Sequence, residues 1–128
     1  MSEDYKWLVQ LAKITSQNAY IPYSKFKVGA LAVTPDGKTF PGCNIENASY
    51  GLTVCAERVA IFKGVSEGYR VFDKIIVYCD SIHTHFPCGA CREVIYEFSG
   101  DTKIITANNR GKIETKHITE LLPEPFYF

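Results

Sequence analysis

The sequence predicts a layered α/β domain in which helices alternate with strands. Three observations support this prediction. Residues 3–20 carry apolar side chains at helical spacing, 72–79 form a β-branched run without helical period, and 34–37 form a strong turn signal between two short extended segments. Of the 128 residues, 46% are apolar, which is enough for a core without disulfides. We therefore expect one domain over residues 1–128.

The first half of the chain is predicted to form a helix, a hairpin and a second helix. Over 3–20, Glu3 and Asp4 fall in the first turn, where acidic groups are favourable, and Pro22 ends the helix. Its apolar positions are Trp7, Leu8, Leu11, Ile14 and Ala19. The hairpin pairs 27–33, whose small residues suggest a closely packed neighbour, with 39–44. The second helix is predicted over 54–64, with Thr53 as its cap.

The second half of the chain repeats the alternation of strand and helix. The apolar run at 72–79 predicts a strand that is buried on both faces. The remaining elements are predicted as a helix over 89–98, a strand over 103–107, a turn at 108–111, a short edge strand over 112–116 and a last helical turn over 118–122.

Charge and cysteine usage exclude several classes of protein. Fourteen basic residues balance fourteen acidic ones, so nothing favours a nucleic acid or an anionic membrane as partner. No apolar run is long enough to cross a bilayer, and the acidic residues 1–4 do not have the layout of a signal peptide. Five cysteines, an odd number, do not form a closed disulfide framework. We therefore expect a cytoplasmic protein with free thiols.

Three cysteines in two short motifs can form one metal site. Cys55 begins the first motif, and Cys88 and Cys91 form a Cys-x-x-Cys pair in the second. Both motifs fall at the start of a predicted helix, where partial positive charge and free N–H groups stabilise thiolates, the form that binds metal. Three thiolates fill three positions around a tetrahedral zinc ion, and a catalytic zinc keeps the fourth position for water.

Charged residues beside the cysteines suit proton transfer and charge compensation. Glu57 follows Cys55 by two residues and can carry protons without binding the metal. Because three thiolates leave a zinc site with negative charge, a positive group is expected nearby. Arg58 and Arg92 lie beside the cysteines in sequence, and either can donate hydrogen bonds to the sulfurs.

Two other interpretations of the cysteines stay open. A Cys-x-x-Cys pair at a helix start is also typical of a thioredoxin-type redox pair. A structural zinc site would need a fourth protein ligand. The candidates for that ligand are Cys43, Cys79, His83 and His85. The histidines, including His117, have no informative spacing and are expected on the surface or in loops.

The motifs occur in an order that resembles the small, homotetrameric, three-cysteine cytidine deaminases, a family of zinc-dependent enzymes. The resemblance extends over about residues 19–126 and implies a three-layer fold with a five-stranded mixed sheet and helices on both faces. The matching segments are Pro22-Tyr23-Ser24-Lys25-Phe26, Val28-Gly29-Ala30, Gly42-Cys43-Asn44-Ile45-Glu46-Asn47-Ala48, Cys55-Ala56-Glu57-Arg58, Pro87-Cys88-Gly89-Ala90-Cys91-Arg92 and Glu120-Leu121-Leu122-Pro123.

The resemblance implies one Zn²⁺ per chain and a role for individual residues. Cys55, Cys88 and Cys91 match the zinc ligands, Glu57 the proton carrier, and Arg58 the arginine that hydrogen-bonds the thiolates. The substrate residues that it implies are Phe26 against the pyrimidine ring, Asn44 and Glu46 at a ribose hydroxyl, and the Ala56 backbone at the base edge. In the family tetramer, neighbouring subunits reach over each active site, and the matching positions are Ala48, Tyr50 and Phe126.

Two positions depart from the family pattern. Phe86 stands where the family usually has Ser, and its backbone carbonyl is expected to face the leaving amine. Glu93 stands where the family often has Gln, and an approach of Glu93 to Arg58 would partly neutralise the arginine.

The resemblance predicts hydrolytic deamination of cytidine and deoxycytidine in pyrimidine salvage, with a nucleoside as the only small-molecule partner. Three rival functions stay open: a deaminase for a cytosine-nucleoside analogue such as blasticidin S, a zinc or redox binding module without turnover, and an RNA-editing enzyme. The first is disfavoured by the Asn44 to Ser49 segment, which suits a ribose, and the last by the missing basic stripe.

Overall fold

A computed structural model describes residues 5–128 and consists of a five-stranded mixed sheet with helices on both faces. This architecture confirms the predicted fold class. The elements in chain order are α1 Lys6–Ser16, β1 Val28–Val33, β2 Thr39–Cys43, a 3₁₀ turn Tyr50–Leu52, α2 Ala56–Ser66, β3 Lys74–Cys79, α3 Gly89–Phe98, β4 Lys103–Ala107, β5 Ile113–His117 and α4 Ile118–Leu121. No helix within the described range is both long and apolar enough to cross a membrane.

The strand order across the sheet is β2-β1-β3-β4-β5. β3 and β4 pair in parallel, whereas the other three pairs are antiparallel. The parallel pair needs a crossover between its strands, and α3 is the helix that makes it. β3, β1 and β4 carry almost only buried residues, as expected for strands covered on both faces.

Side chains of each central strand alternate between two cores. Leu31, Ile76 and Ile105 point toward α1 and pack with its Leu8 and Ala12. The intervening residues point toward α2, α3 and α4, and the buried members of this second core are Val28, Ala30, Ala32, Phe40, Ala56, Ala60, Ile61, Phe72, Ile75, Val77, Cys79, Ile95, Ile104 and Ile118. The second core supports the helix starts that carry the cysteine motifs.

The first helix is shorter than predicted, and its buried face differs. α1 ends at Ser16, and its predicted start at Glu3 and Asp4 lies outside the described residues. Trp7 and Ile14, predicted as part of its apolar face, are 61% and 58% exposed. The buried side of the helix is formed by Leu8, Ala12 and Ser16. Small residues were overlooked because periodicity favours large apolar side chains.

The other boundaries agree with prediction within about three residues, with one informative exception. The predicted cap of the second helix, Thr53, is not the cap, since α2 begins at Ala56 with Cys55 in the N-cap position. The 3₁₀ turn at Tyr50–Leu52 was not predicted. The bounds of α3 and β4 match the prediction.

Gly29 allows α1 to lie directly on the sheet. A Cβ atom at this position would come within 1.9 Å of the Ala12 carbonyl oxygen and 2.9 Å of the Ser16 backbone nitrogen. Both neighbours are backbone atoms of a helix, so neither can yield by a rotamer change. The small residues of β1 therefore have the packing role that the sequence suggested.

We expect Gly29→Ala to lower the free energy of unfolding by about 2 kcal/mol or more, because an added methyl group must displace the α1 backbone. Urea denaturation measures this difference. Gly51→Ala is the matched control, since nothing lies within 4 Å of a Cβ at that position, and it should change stability by less than about 0.5 kcal/mol. Equal stability of the two variants would contradict the packing argument.

Candidate metal centre and its pocket

The amino ends of α2 and α3 bring three cysteines together. Cys55 is the N-cap of α2, Cys88 is the N-cap of α3, and Cys91 lies in the first turn of α3. Their sulfur atoms all lie within 4.8 Å of one another, and the Sγ atoms of Cys55 and Cys88 are 3.9 Å apart. Tetrahedral zinc with bonds of about 2.3 Å separates its sulfur ligands by about 3.8 Å, so the three thiols fit this metal.

The cluster lacks a fourth protein ligand among residues 5–128. No other histidine, cysteine, aspartate or glutamate in that range joins the group. Cys43 and Cys79, two of the candidates for a fourth ligand, lie elsewhere as free thiols. A closed structural zinc site is therefore not formed by the described residues, and the donor set is that of an open site.

Hydrogen bonds within the cluster favour a thiolate at Cys55. Its contacts with Cys91 and with the Arg58 guanidinium lower the pKa of the Cys55 thiol to about 5. The hydrogen bond with Cys55 and burial raise the pKa of Cys91. Deprotonation is thus favoured at Cys55 over Cys91.

The two arginines beside the cysteines have different roles. Arg58 donates from Nη2 to the Sγ of Cys55 at 3.5 Å. Arg92 makes no such bond, because its Nε donates to the Pro87 carbonyl at 2.6 Å and its Nη1 to the Leu121 carbonyl at 2.9 Å. Arg92 therefore fixes the loop before Cys88 to the end of α4, and only Arg58 has the predicted contact with sulfur.

Glu57 is buried beside the cluster. The residue is 6% exposed, and burial raises the pKa of its carboxyl group to about 7. A carboxyl group with a pKa near neutrality can both accept and release a proton at physiological pH. The position of Glu57 in the first turn of α2 keeps it within the lining of the adjoining pocket.

An inner pocket of about 260 Å³ opens next to the cysteines. Its lining residues are Phe26, Val28, Asn44, Thr53, Cys55, Ala56, Glu57, Val77, Cys79, His85 and Phe86. The walls are mostly apolar, with a few polar groups, as in pockets that bind small organic molecules. The predicted substrate residues Phe26, Asn44 and Ala56 are therefore brought together with Glu57 and with the Cys55 thiol of the cluster.

Asn44 has a structural contact that the sequence did not reveal. Its Oδ1 accepts from the Val28 backbone N–H at 3.1 Å, and its Nδ2 donates to the Phe26 carbonyl at 2.8 Å. The amide thus joins the end of β2 to the chain entering β1. The Oδ1 atom can accept one further hydrogen bond, and the Nδ2 atom can donate one further hydrogen bond.

Glu46 lies in a neighbouring outer pocket of about 330 Å³. Its carboxylate accepts from the backbone N–H groups of Tyr23 and Ser24, both at 3.1 Å, and from the Ser24 hydroxyl. The hydrogen bond from the Ser24 side chain holds the pKa of Glu46 below its usual value. Thr53 lines both pockets, which therefore adjoin at this residue, and we refer to the two pockets together as the groove.

The residues expected to reach a neighbouring subunit lie on the surface. Tyr50 and Phe126 are 79% and 70% exposed, and Ala48 is also exposed. Of the three, only Tyr50 lines a pocket of this chain, the outer one. These positions leave Ala48 and Phe126 outside the groove of their own chain.

The expected approach of Glu93 to Arg58 does not occur. The Glu93 carboxylate instead accepts from the Phe126 backbone N–H, with both oxygens at 3.3 Å. Glu93 therefore ties the carboxyl-terminal segment to α3. Phe86 lines the inner pocket, and the Lys116 Nζ lies 5.9 Å from the centroid of its ring.

Thr53 and His85 line the inner pocket although neither was predicted as a substrate residue. Thr53 was expected to cap a helix, and His85 was expected on the surface or in a loop, or as a fourth ligand of a structural zinc. Both stand close to a cysteine in sequence, at two and three residues from Cys55 and Cys88. That proximity was the one available signal for them.

Comparison with known proteins gives a consistent result. The sequence model described as "Cytidine and deoxycytidylate deaminase zinc-binding region" matches residues 2–108. A cytidine deaminase of Sporosarcina psychrophila is 45% identical over 124 residues, with 96% of this chain and 91% of the relative covered. The crystal structure of cytidine deaminase from Burkholderia pseudomallei superposes with a TM-score of 0.91 at 44% sequence identity. The match covers 95% of this chain and 98% of that structure. A blasticidin-S deaminase of Bacillus cereus is 34% identical, and the match covers 90% of this chain and 89% of the relative.

We expect iodoacetamide at pH 7 to modify Cys55 of chelator-treated protein on the order of a hundred times faster than Cys79. Burial raises the pKa of Cys79 to about 12, whereas that of Cys55 is about 5. At pH 7 the fraction present as thiolate is about five powers of ten higher for Cys55 than for Cys79. The lower intrinsic nucleophilicity of the Cys55 thiolate cancels about three of these powers of ten. Peptide mass spectrometry measures both rates.

Arg58→Gln is the matched variant for this experiment. Loss of the guanidinium should raise the pKa of Cys55 and move its labelling to higher pH, while Cys79 is unaffected. Labelling of Cys79 ahead of Cys55, or an unchanged profile in the variant, would contradict the assigned hydrogen bonds.

Proposed function

The chain belongs to the family of cytidine and deoxycytidylate deaminases, and on that premise we propose that it hydrolyses cytidine and deoxycytidine to uridine and deoxyuridine, with release of ammonia. The observation that carries the proposal is the open three-thiol cluster beside a buried Glu57, at the wall of an organic-ligand pocket. A redox pair needs no third cysteine, and a zinc-stabilised module needs a fourth ligand, which residues 5–128 do not supply.

Cys55, Cys88 and Cys91 are the residues that would hold one zinc ion per chain. Bound zinc supplies a Lewis acid that lowers the pKa of water and makes it a nucleophile near neutral pH. Arg58 offsets the negative charge of the thiolates through its hydrogen bond to Cys55. Its Nε is buried without a partner in residues 5–128.

Glu57 carries the protons of the reaction. Its carboxylate takes a proton from the attacking water and gives it to a ring nitrogen of the pyrimidine. Water oxygen adds to the ring carbon that bears the amine. The proton of the resulting hydroxyl group passes through Glu57 to the amine, and the C–N bond breaks to release ammonia as the carbonyl of the product forms. A pKa of about 7 suits a group that is base in one step and acid in the next.

The groove orients the nucleoside. Phe26 packs on the pyrimidine ring, and the backbone at Ala56 contacts the edge of the base. Asn44 and Glu46 hydrogen-bond a ribose hydroxyl with the capacity left by their contacts to the protein. The inner pocket would then receive the base, and the outer pocket the sugar.

Four chains form the active enzyme in this proposal, as the family resemblance implies. Support comes from the apolar side chains on the surface, which include Trp7, Ile14, Tyr50, Phe126 and Phe128, each more than half exposed. The Phe126 and Phe128 ring centroids lie 5.5 Å apart, and adjacent exposed apolar groups of this kind are typical of an interface between chains. Ala48, Tyr50 and Phe126 would complete the active site of a neighbour.

We also propose one deaminase domain over residues 1–128, a role in pyrimidine salvage, and a cytoplasmic location. The five free thiols support a reducing compartment, since oxidation would remove the metal ligands. Deamination of blasticidin S is the rival activity, and direct comparison of turnover of the two substrates decides between them.

Glu57→Gln should reduce kcat for cytidine by a factor of roughly 10²–10⁴ while zinc content stays near one per chain, because the amide fills the same space but cannot take up or release a proton. Loss of ultraviolet absorbance on adding cytidine measures the rate, and metal analysis measures zinc. Glu67→Gln, at the exposed end of α2, is the matched control. Full activity in the Glu57 variant would rule out the proposed mechanism.

Mixing two inactive variants tests the shared active site. Glu57→Gln retains a normal Phe126, and Phe126→Ala retains a normal Glu57, so mixed oligomers should regain activity that neither variant shows alone. Sedimentation velocity checks that the mixture forms four-chain species. Activity no higher than the sum of the separate variants would show that Phe126 does not serve a neighbouring site.

A further inference from the structure

His85 contacts the aromatic ring that lines the inner pocket. The centroids of the His85 and Phe26 rings are 5.3 Å apart, and their planes meet at 74°. Both residues line the pocket that contains Glu57 and Cys55. An edge-to-face pair of this kind is favourable beyond its buried area, so the histidine restricts the orientations available to the Phe26 ring.

The segment that carries His85 is held at several points. The Asn109 backbone N–H donates to the Ser81 carbonyl at 2.9 Å, and the Asn108 Nδ2 donates to the Ile82 carbonyl at 2.7 Å. Glu114 hydrogen-bonds the Thr84 side chain. The Nε2 of His85 itself lies 3.4 Å from the Ser81 hydroxyl. The turn between β4 and β5 and strand β5 thus fix the segment on which His85 stands.

The backbone of Phe26 is fixed as well, and its half-buried ring packs against the core. The Phe26 N–H donates to the Ser24 hydroxyl at 3.0 Å, and its carbonyl accepts from the Asn44 Nδ2 at 2.8 Å. These contacts set the position of the Cα atom and leave rotation about the side-chain bonds. Phe26 is half-buried, so neighbours on one side only would allow several ring orientations.

We propose that His85 is a positioning residue for substrate binding, which holds the Phe26 ring flat against the pyrimidine of the nucleoside. This inference rests on the proposed function, in which Phe26 packs on the base. His85 acts through packing and not through proton transfer, since Glu57 already carries the protons. His85 contributes equally to binding of the substrate and of the transition state. Its loss should therefore change KM and not kcat.

His85→Ala should therefore raise KM for cytidine roughly two- to tenfold, the range expected for loss of one aromatic pair, and change kcat by less than about twofold. His85→Phe retains the edge of an aromatic ring and should restore KM to near the wild-type value. The inhibition constant of the product uridine should rise with KM in His85→Ala. Thermal unfolding confirms that the variants are folded.

Two comparisons separate positioning from a general effect on the loop. Ile82→Ala removes an exposed side chain on the same segment that lines neither pocket, and it should leave KM unchanged. In a double-mutant cycle, His85→Ala should add little to the KM already raised by Phe26→Leu, because both changes remove the same contact.

The inference is overturned if His85→Ala leaves KM unchanged in an active enzyme, if its effect adds in full to that of Phe26→Leu, or if His85→Phe behaves as His85→Ala does. A wild-type chain without turnover of cytidine overturns the proposed function and this inference with it. Measurement of wild-type turnover first keeps the two failures distinct.

Discussion

The whole site depends on the meeting of two helix starts. The amino ends of α2 and α3 place three sulfurs within 4.8 Å of one another, where helix dipoles and free N–H groups favour thiolates. This meeting requires α2 to lie close to the sheet. Gly42 permits that approach, since a Cβ there would come within 2.5 Å of the Ala60 backbone nitrogen. A spacing suited to zinc is therefore a consequence of close helix–sheet packing.

Burial of Glu57 follows from the same packing and has opposite effects on stability and function. A buried carboxyl group disfavours the folded state when it is charged and not paired with an opposite charge. The raised pKa reduces that penalty by allowing the neutral form near pH 7. The same property allows proton transfer in both directions. A feature that weakens the fold is thus retained at the point where a deaminase would need it.

Most of the fold was predictable because it depends on local signals. β-branched runs, turn residues and helical spacing located every strand and helix, and α3 and β4 were placed within their observed bounds. Contacts between distant segments were not predictable. Spacing alone does not distinguish Arg58, which reaches a sulfur, from Arg92, which reaches Pro87 and Leu121, and only the family resemblance indicated Arg58. His85 was overlooked for the same reason, because its partner Phe26 is 59 residues away.

Asn44 and Glu46 connect fold and site more closely than a substrate role alone would require. Lys25 has a φ of +62°, a conformation that is unfavourable for a side chain with a Cβ and persists only where the surroundings enforce it. Glu46 binds the turn just before Lys25, through Tyr23 and Ser24, and Asn44 binds the carbonyl of Phe26 just after it. The strained turn is thereby held from both sides. Because the same two side chains would bind the sugar while fixing the residue that packs on the base, loss of either should disturb both halves of the nucleoside site at once.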